Sequence, residues 1–587
     1  MNDPASGRWP FRRPGGNRPR TPRNARSWRG RGPAGSGQRR TLSSVLARHA
    51  ARVRSRRALL WDVGKAMLLT LLAALAAAPL AAVWGISHAQ VEDYLGPHRV
   101  KFASNFSGEV ELNLGPFGNA YLASPASPIG LDITVGGVGT AAENLTSLLS
   151  EETLIAYTSL YTEPREALSG IVERLVHDAV WEGLKAEAVL LLGVAIWRLR
   201  RQLLPPWITT WVTRRRAAAV YLTVAVLVIG SFLVPEKPKG PRYPVTVTDG
   251  GPFSSLTVDS VLLAGVLDRG IEGIRLLSAR QQRAVQAYLD SAAASLSTQL
   301  DELPKPGADE TMILGFSDLH CNRAMTELIS RLAHASRPSV VLSAGDDTVN
   351  GTAAERGCIR REAEIPDGVP FLIASGNHDS DVTEAQMRSL GMTVLDGQVV
   401  EAAGLSVLGD DDPERNIPFS VDRVKDRPES EEELAQRLVD VARDKHTDVM
   451  LVHQPVAARV IMNAPNPPAP LVVWGHYHAQ SGPTVIMHDD GSWTVGMQQG
   501  TAGGVREPIF TSFSTPFSPP LISADVYFYF RDNATGLITG VQPVHFRPDA
   551  SVAIEERIAT GDLAELPLET RIRLSGGLPT PSTDASR

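Results

Sequence analysis

Five short apolar runs recur through the C-terminal half of the chain, at 312–316, 340–342, 371–373, 449–452 and 471–474. Each is followed by a polar turn, so each reads as a buried strand. A helical pattern over 276–303 leads into this region, and Ser430-Glu431-Glu432-Glu433 opens a further helix as a capping box. Residues 524–530 and 537–544 flank Asp532-Asn533-Ala534-Thr535-Gly536 and predict a closing hairpin. The N-terminal half has a different texture. Residues 66–86 and 217–234 carry no charge, and 179–197 is apolar in its second half but holds Glu182, Lys185 and Glu187. Around these stretches, 90–139 and 243–267 alternate apolar and polar positions between Gly and Pro turns, as in Glu109-Val110-Glu111-Leu112 and Val245-Thr246-Val247. They read as short strands of one small β-domain built from two chain segments.

The polar turns after the five runs carry the candidate chemistry. In order they read Asp318-Leu319-His320, Gly345-Asp346, Gly376-Asn377-His378-Asp379, His453, and Gly475-His476-Tyr477-His478. Oxygen and imidazole donors of this kind suit first-row divalent cations. Ligands at the C-terminal ends of adjacent strands can converge on one point. Any one fragment alone is an ordinary polar turn; their ordered recurrence is the signal.

This ordered set resembles the calcineurin-like metallophosphoesterase superfamily over about 311–546. The resemblance implies an α/β fold, a four-layer sandwich of two packed β-sheets flanked by helices. It implies that Asp318, His320 and His478 bind one metal, that Asn377, His453 and His476 bind a second, and that Asp346 bridges both. It implies two divalent ions (Mn, Fe, Zn or Co) and a phosphate ester cleaved by in-line attack of metal-bound hydroxide. His378 is then the catalytic group that meets the phosphate or protonates the leaving oxygen. Asp379 stands where the family often has Glu, and a shorter carboxylate there could still orient the imidazole. The overall layout is similar to uncharacterised membrane metallophosphoesterases of actinobacteria, and the wealth of Ala, Arg and Gly also points to a bacterium.

Other residues invite weaker readings. Arg323 either contacts a substrate phosphate or is a solvated helix-start residue, the simpler reading. Asp410-Asp411-Asp412-Pro413 reads as a solvated turn. His334, His446 and His488 fit no ligand position. Phe510, Phe513 and Phe517, in an irregular Pro-rich loop at 508–520, either face a lipid-like substrate or pack beneath the site. Cys321 and Cys358 follow two of the metal loops and could form a disulfide on one edge of the sheet, compatible with an oxidising compartment.

At 587 residues the chain exceeds one ordinary domain. Its net charge of -6 conceals an uneven distribution, because the first sixty residues hold sixteen Arg and a single acid, Asp3. A Gly/Pro-rich cationic segment cannot bury a core and is expected to be disordered over 1–60. A membrane span follows at once, so the plain reading is a cytosolic tail, with no specific nucleic-acid partner. The expected layout is a span at 66–86, an extracytoplasmic segment with strands at 87–178, a second span at 179–197, a basic loop at 198–216 and a third span at 217–234. An extracytoplasmic strand segment and linker at 235–302, a catalytic domain at 303–550 and a tail at 551–587 complete it. The second span could instead be a soluble amphipathic helix, which would leave the catalytic domain in the cytosol. Arg198, Arg200, Arg201, Arg214, Arg215 and Arg216 between the second and third stretches favour a cytosolic loop there. Three spans place the catalytic domain outside, where envelope or lipid-linked phosphate esters would be its substrates. A silent membrane sensor or scaffold that binds a phosphorylated ligand is the alternative function.

Overall fold

The computed structural model describes residues 42–95, 98–115, 118–135, 164–203, 240–246, 254–366, 368–418, 423–505 and 519–567, with isolated positions between 219 and 230. The chain divides into two units, Met1–Leu72 and Ala73–Arg587. Helix α1 (Leu42–His88) starts inside the segment expected to be disordered. From residue 42 Gly and Pro give way to Leu, Ala, Val and Arg, which favour helix. Its stretch Val63–His88, 26 residues of mean hydropathy 2.3, is the one helix among the described residues long and apolar enough to cross a membrane. At 1.5 Å per residue it reaches about 39 Å, against about 30 Å of hydrocarbon. The doubtful stretch 179–197 lies in helix α2 (Pro164–Leu203). There Lys185 pairs with Glu182 at 2.6 Å. Most of 217–234 lies outside the described residues, as do most of the Arg-rich tail and the three Phe of the Pro-rich loop.

Strands β1 (Gln90–Leu95), β2 (His98–Asn105), β3 (Glu109–Asn113), β4 (Asn119–Ala123), β5 (Gly130–Val135), β6 (Tyr243–Pro244) and β7 (Thr257–Val258) form one sheet in the order β1-β2-β5-β3-β4-β7-β6. Ala120 pairs with Val258, which joins the segments on either side of α2. Val91, Val100, Phe102 and Ile133 make its core together with Ile171 and Leu175 of α2. Helix α3 (Val261–Ser297) is longer than the sequence pattern predicted, because Ser260 caps it by accepting from the Leu263 N–H.

The remaining strands are β8 (Glu310–Phe316), β9 (Val340–Ser343), β10 (Phe371–Ile373), β11 (Thr393–Val394), β12 (Val400–Ala402), β13 (Leu405–Gly409), β14 (Glu414–Asn416), β15 (Arg423–Lys425), β16 (Val449–Leu451), β17 (Leu471–Trp474), β18 (Ser481–Met487), β19 (Trp493–Gln498), β20 (Ala524–Asp532), β21 (Ile538–Phe546), β22 (Val552–Ile554) and β23 (Ile558–Ala559). With them come helices α4 (Arg323–Ser336), α5 (Arg356–Glu362), α6 (Asp381–Ser389), α7 (Glu431–Asp444), α8 (Pro455–Met462) and α9 (Thr560–Ala564). One sheet runs β11-β10-β9-β8-β20-β21-β22 with β23 beside β21, a second runs β12-β13-β16-β17-β19-β18, and β14 and β15 form a separate hairpin.

Period-two alternation sets the layers. In β8, Met312, Leu314 and Phe316 meet Leu328 and Leu332 of α4, whereas Ile313 faces the second sheet. In β17, Leu471 and Val473 face the first sheet, while Val472 and Trp474 meet Leu434 and Leu438 of α7. Two sheets therefore pack face to face, with helices on both outer sides. Strands β8, β9 and β10 are mutually parallel, and so are β13, β16 and β17. Their C-terminal ends open on one rim, and every ligand-bearing turn leaves from that rim.

Candidate metal centre

The turns that leave the rim are tight. Asp318, His320, Asp346, His476 and His478 have φ of 55°, 47°, 56°, 75° and 53°, so five of the seven expected ligands occupy left-handed backbone. Such geometry costs about 1–3 kcal/mol per residue and persists only where the surroundings enforce it. The loops enforce it on one another. The N–H groups of Asp318 and His320 donate to the carbonyls of Gly345 and Asp346 at 2.8 and 3.0 Å, and Gly475 donates to His453 at 3.1 Å. Two glycines permit the approach: a Cβ on Gly376 would lie 2.2 Å from Asp346 Oδ1, and one on Gly475 1.9 Å from Ser317 Oγ.

Two groups of side chains result, Asp318 with His320 and His478, and Asp346 with His453 and His476. Their hydrogen bonding tests whether they fit metal ions. His320 Nδ1 donates to the Thr348 carbonyl at 3.1 Å and His478 Nδ1 to the Val505 carbonyl at 3.0 Å. A carbonyl only accepts, so each ring proton sits on Nδ1 and each Nε2 presents a lone pair. Those two nitrogens face each other at 3.2 Å, and Asp318 Oδ1, 3.3 Å from His478 Nε2, is buried with no hydrogen-bond partner. The second group repeats the pattern. His453 Nδ1 donates to the Ala344 carbonyl at 2.8 Å. Its Nε2 faces Asp346 Oδ2 at 3.1 Å, Asn377 Oδ1 at 3.1 Å and His476 Nδ1 at 3.2 Å. Acceptors buried against acceptors are costly. A cation removes that cost, so both sets of residues fit a divalent metal.

The electrostatics agree for most members. Burial, with His378 beside it, pushes the His320 imidazole down to about 3. Burial and His453 push His476 well below its usual range. Both rings are therefore neutral, as metal ligands must be. Burial works against the charge on Asp318, yet positive charge at His478 and His453, the place a metal cation would take, holds that carboxyl down at about 2. Burial would also lower His453, but Asp346 beside it raises the ring to about 10. Its Nδ1 contact to Ala344 leaves Nε2 as the atom that either a proton or a metal would occupy.

His378 lies edge-on to His320, ring centroids 5.0 Å apart. Its Nδ1 donates to the Val349 carbonyl at 2.6 Å and its Nε2 faces the Asn416 amide at 2.8 Å. Asp379 therefore does not orient this imidazole, which corrects the sequence reading. The Asp379 carboxylate turns inward and accepts from the N–H groups of Gly376, Asp346 and Thr348 at 2.9, 3.0 and 3.0 Å, and from Thr348 Oγ1 at 2.9 Å. It is a positioning residue that ties two metal loops together. Sequence adjacency to His378 suggested otherwise because it says nothing about side-chain direction.

Arg323 opens α4 in a surface pocket lined by Thr326, Glu327, Ser330, Arg360, Arg361 and Glu364, a set that contains no metal-centre residue. That placement speaks against a substrate contact. Cys321 and Cys358 form a disulfide that joins the His320 loop to α5. The acidic run is not a solvated turn: Asp410 and Asp412 are each 2% exposed. Arg437 and Arg427 pair with Asp410 at 2.7 and 3.1 Å, and Gln454 Nε2 reaches Asp412 at 2.7 Å. His446 is exposed, while His488 bonds Ser492 and Thr494. Ser430 caps α7 in a capping box with Glu433. Two residues at the centre carry no sequence signal, Asn416 and Arg423, both on the β14–β15 hairpin. Arg423 Nη2 stands 3.5 Å from His476 Nε2.

Comparison with known proteins gives a family match over residues 311–480, to the model described as calcineurin-like phosphoesterase. No curated protein matches the chain. Among solved structures, a conserved uncharacterized protein of Streptococcus pneumoniae TIGR4, described as a predicted phosphoesterase, is 11% identical. The match covers 43% of this chain and 99% of that one, at a TM-score of 0.22. A metallophosphoesterase from Sphaerobacter thermophilus is 16% identical, with 45% and 99% covered and a TM-score of 0.20.

Proposed function

From the premise that residues 311–480 form a metal-dependent phosphoesterase domain of the calcineurin-like family, we propose a membrane-anchored enzyme that cleaves phosphodiesters of the cell envelope or of lipid-linked substrates. The observation that carries the chemistry is the facing lone pairs of His320 and His478, 3.2 Å apart beside the unpartnered Asp318 oxygen. Asp318, His320 and His478 would hold one cation, Asn377, His453 and His476 the other, and Asp346 would serve both. Two bound cations neutralise a phosphate ester and acidify water near neutral pH. The side chains do the rest. Backbone carbonyls fix each ring proton on Nδ1, which aims the Nε2 atoms of His320, His453 and His478 inward. His378, held through Nδ1 by Val349, has Nε2 at the edge of the first half-site. In this reading Nε2, which in the neutral ring accepts from the Asn416 amide, takes a proton from solvent and passes it to the leaving oxygen. Arg423, on the rim of the second half-site, would meet a non-bridging phosphate oxygen.

Support for the anchor comes from helix packing. Gly85 of α1 approaches α2 so closely that a Cβ would lie 2.2 Å from the Ala179 carbonyl, and one on Gly183 would lie 3.2 Å from Ala81 O. Ala81-x3-Gly85 thus meets Ala179-x3-Gly183, the small-residue spacing that lets membrane helices touch. Tyr221, in the third apolar stretch, bonds the Ala76 carbonyl. These contacts support association of the three apolar stretches; the proposed orientation, with the Arg-rich tail inside and the catalytic domain outside, rests on the Arg residues between the second and third stretches. The sensor reading has support of its own. α2 grips the catalytic domain through Glu173 and Arg356 at 2.8 Å, and Gly170 packs on the Ala353 carbonyl.

The test uses the full-length chain in detergent, stripped of metal and reloaded, with bis-p-nitrophenyl phosphate and p-nitrophenyl phosphate as substrates. Metal-dependent turnover, faster on the diester, is expected. Turnover of the monoester alone would overturn the diester preference, and a metal-loaded, folded, inert protein would favour the sensor. Protease digestion of oriented vesicles reads the topology: the catalytic domain should be cut from the outside only.

A further inference from the structure

Asn416 stands between the two residues that the proposed function asks most of, Asn377 and His378. Its backbone is pinned first, since its N–H donates to the Asn377 carbonyl at 2.7 Å. Its side chain then has one self-consistent orientation. Asn377 Nδ2 can only donate, and it lies 2.9 Å from Asn416 Oδ1. The Asn416 amino group is left to face His378 Nε2 at 2.8 Å. That nitrogen can accept, because the ring proton is on Nδ1, bonded to Val349. Donation therefore runs in one direction, from Asn377 to Asn416 to His378 to the Val349 carbonyl. The chain of amides has a consequence at its start. With Nδ2 committed outward to Asn416, the Asn377 Oδ1 must point inward, where it stands 3.1 Å from His453 Nε2.

We infer that Asn416 is a positioning residue with two separable actions: its amide oxygen aims the Asn377 oxygen at the second half-site, and its amide nitrogen holds the His378 ring. The β14–β15 hairpin exists to deliver it. Arg415, immediately before, is buried and anchors the strand through Glu384 at 2.8 Å and Asp411 at 2.9 Å, and through the Gly376 carbonyl at 2.7 Å. Asn416 is thereby placed by a buried ion pair and by the very turn that carries its two clients. Partners of this kind, beyond the ligands themselves, set ligand orientation and commonly matter 10–100-fold in metal affinity or activity. The inference rests on the proposed roles of Asn377 and His378.

One substitution separates the two actions. Asn416→Asp keeps an oxygen for Asn377 Nδ2 and removes the donor to His378, whereas Asn416→Ala removes both. The full-length protein in detergent is first titrated with Mn2+ alone by calorimetry. Wild type and Asn416→Asp should bind two ions with similar affinity, and Asn416→Ala should bind one of the two at least tenfold more weakly. Turnover of an aryl and an alkyl phosphodiester is then compared. Asn416→Asp should lose tenfold or more in kcat with KM within twofold, and lose most on the alkyl ester, because a carboxylate opposite Nε2 competes for the proton that this leaving oxygen needs. Should the wild type bind Mn2+ and hydrolyse nothing, the proposed function fails while the titration still decides the Asn377 half of the inference. Wild-type affinities and rates in both variants would overturn it. Equal losses in both variants with a lowered Tm would also overturn it, since a merely structural role would not distinguish Asp from Ala.

Discussion

The two half-sites are built by different means. In the first, His320 and His478 are fixed by the backbone carbonyls of Thr348 and Val505, and the group is buried throughout. In the second, His453 is likewise fixed by the Ala344 carbonyl, but His476 is only half-buried, and Asn377 is flanked by Gln454, Asn416 and the acidic run at 410–412. The first half-site is a product of strand ends alone. The second borrows its order from a hairpin and a helix start that are added to the sandwich. The difference teaches where adaptation has room. A carbonyl-fixed site tolerates little change, whereas a site leaning on a polar hairpin can be retuned through residues that never touch the metal.

The largest effect should come from the residue proposed to unite the halves. Asp346→Asn is expected to lower turnover by roughly a thousandfold or more in initial-rate assays. Retention of activity within tenfold would mean that the halves act independently. The comparison sharpens with His478→Ala and His476→Ala. Each should weaken Mn2+ binding at its own half-site, by more than the roughly 10–100-fold that loss of a supporting residue brings. Calorimetry would show whether the other half-site keeps its ion. His378→Ala should leave the metal content intact and reduce kcat by about 10²–10⁴.

Smaller effects lie outside the half-sites. Asp379→Asn replaces an acceptor of several backbone N–H groups with an amide that cannot match them all. It should destabilise the domain by about 1–3 kcal/mol in thermal unfolding, with metal loss only as a consequence. The smallest lies across the sheet. The Arg557 guanidinium beside Glu310 holds that carboxyl down at about 2, from an ordinary 4.5. A folded value below the unfolded one stabilises the protein above about pH 4.5, and that contribution is lost as the pH falls towards 2. Glu310→Gln should therefore flatten the acid limb of the unfolding profile and leave hydrolysis near pH 7 unchanged.

Much of the centre was legible because ligand chemistry and strand-end position coincide in the sequence. Asp318 and His478 are 160 residues apart by number, yet each follows an apolar run that reads as a buried strand. Three kinds of information were missing. Side-chain direction misled the reading of Asp379, which adjoins His378 in sequence and faces away from it in space. Ion pairing misled the reading of Asp410 and Asp412, whose burial depends on distant Arg427, Arg437 and Gln454. Asn416 was invisible because a lone Asn in a polar strand has no pattern, and only the hairpin brings it to His378. The helix that begins at Leu42 shows a further limit, since cationic composition hid good helix formers.

We propose that opposed lone pairs in two adjacent half-sites hold two divalent ions that together drive ester hydrolysis. The most direct test is a stoichiometric titration of the chelated, full-length protein with Mn2+, followed in parallel by calorimetry and by hydrolysis of bis-p-nitrophenyl phosphate. Two ions per chain are expected, with turnover that rises steeply only as the second is taken up. Undiminished turnover by the metal-free protein, or a folded chain that takes up no divalent ion at all, would contradict the proposal.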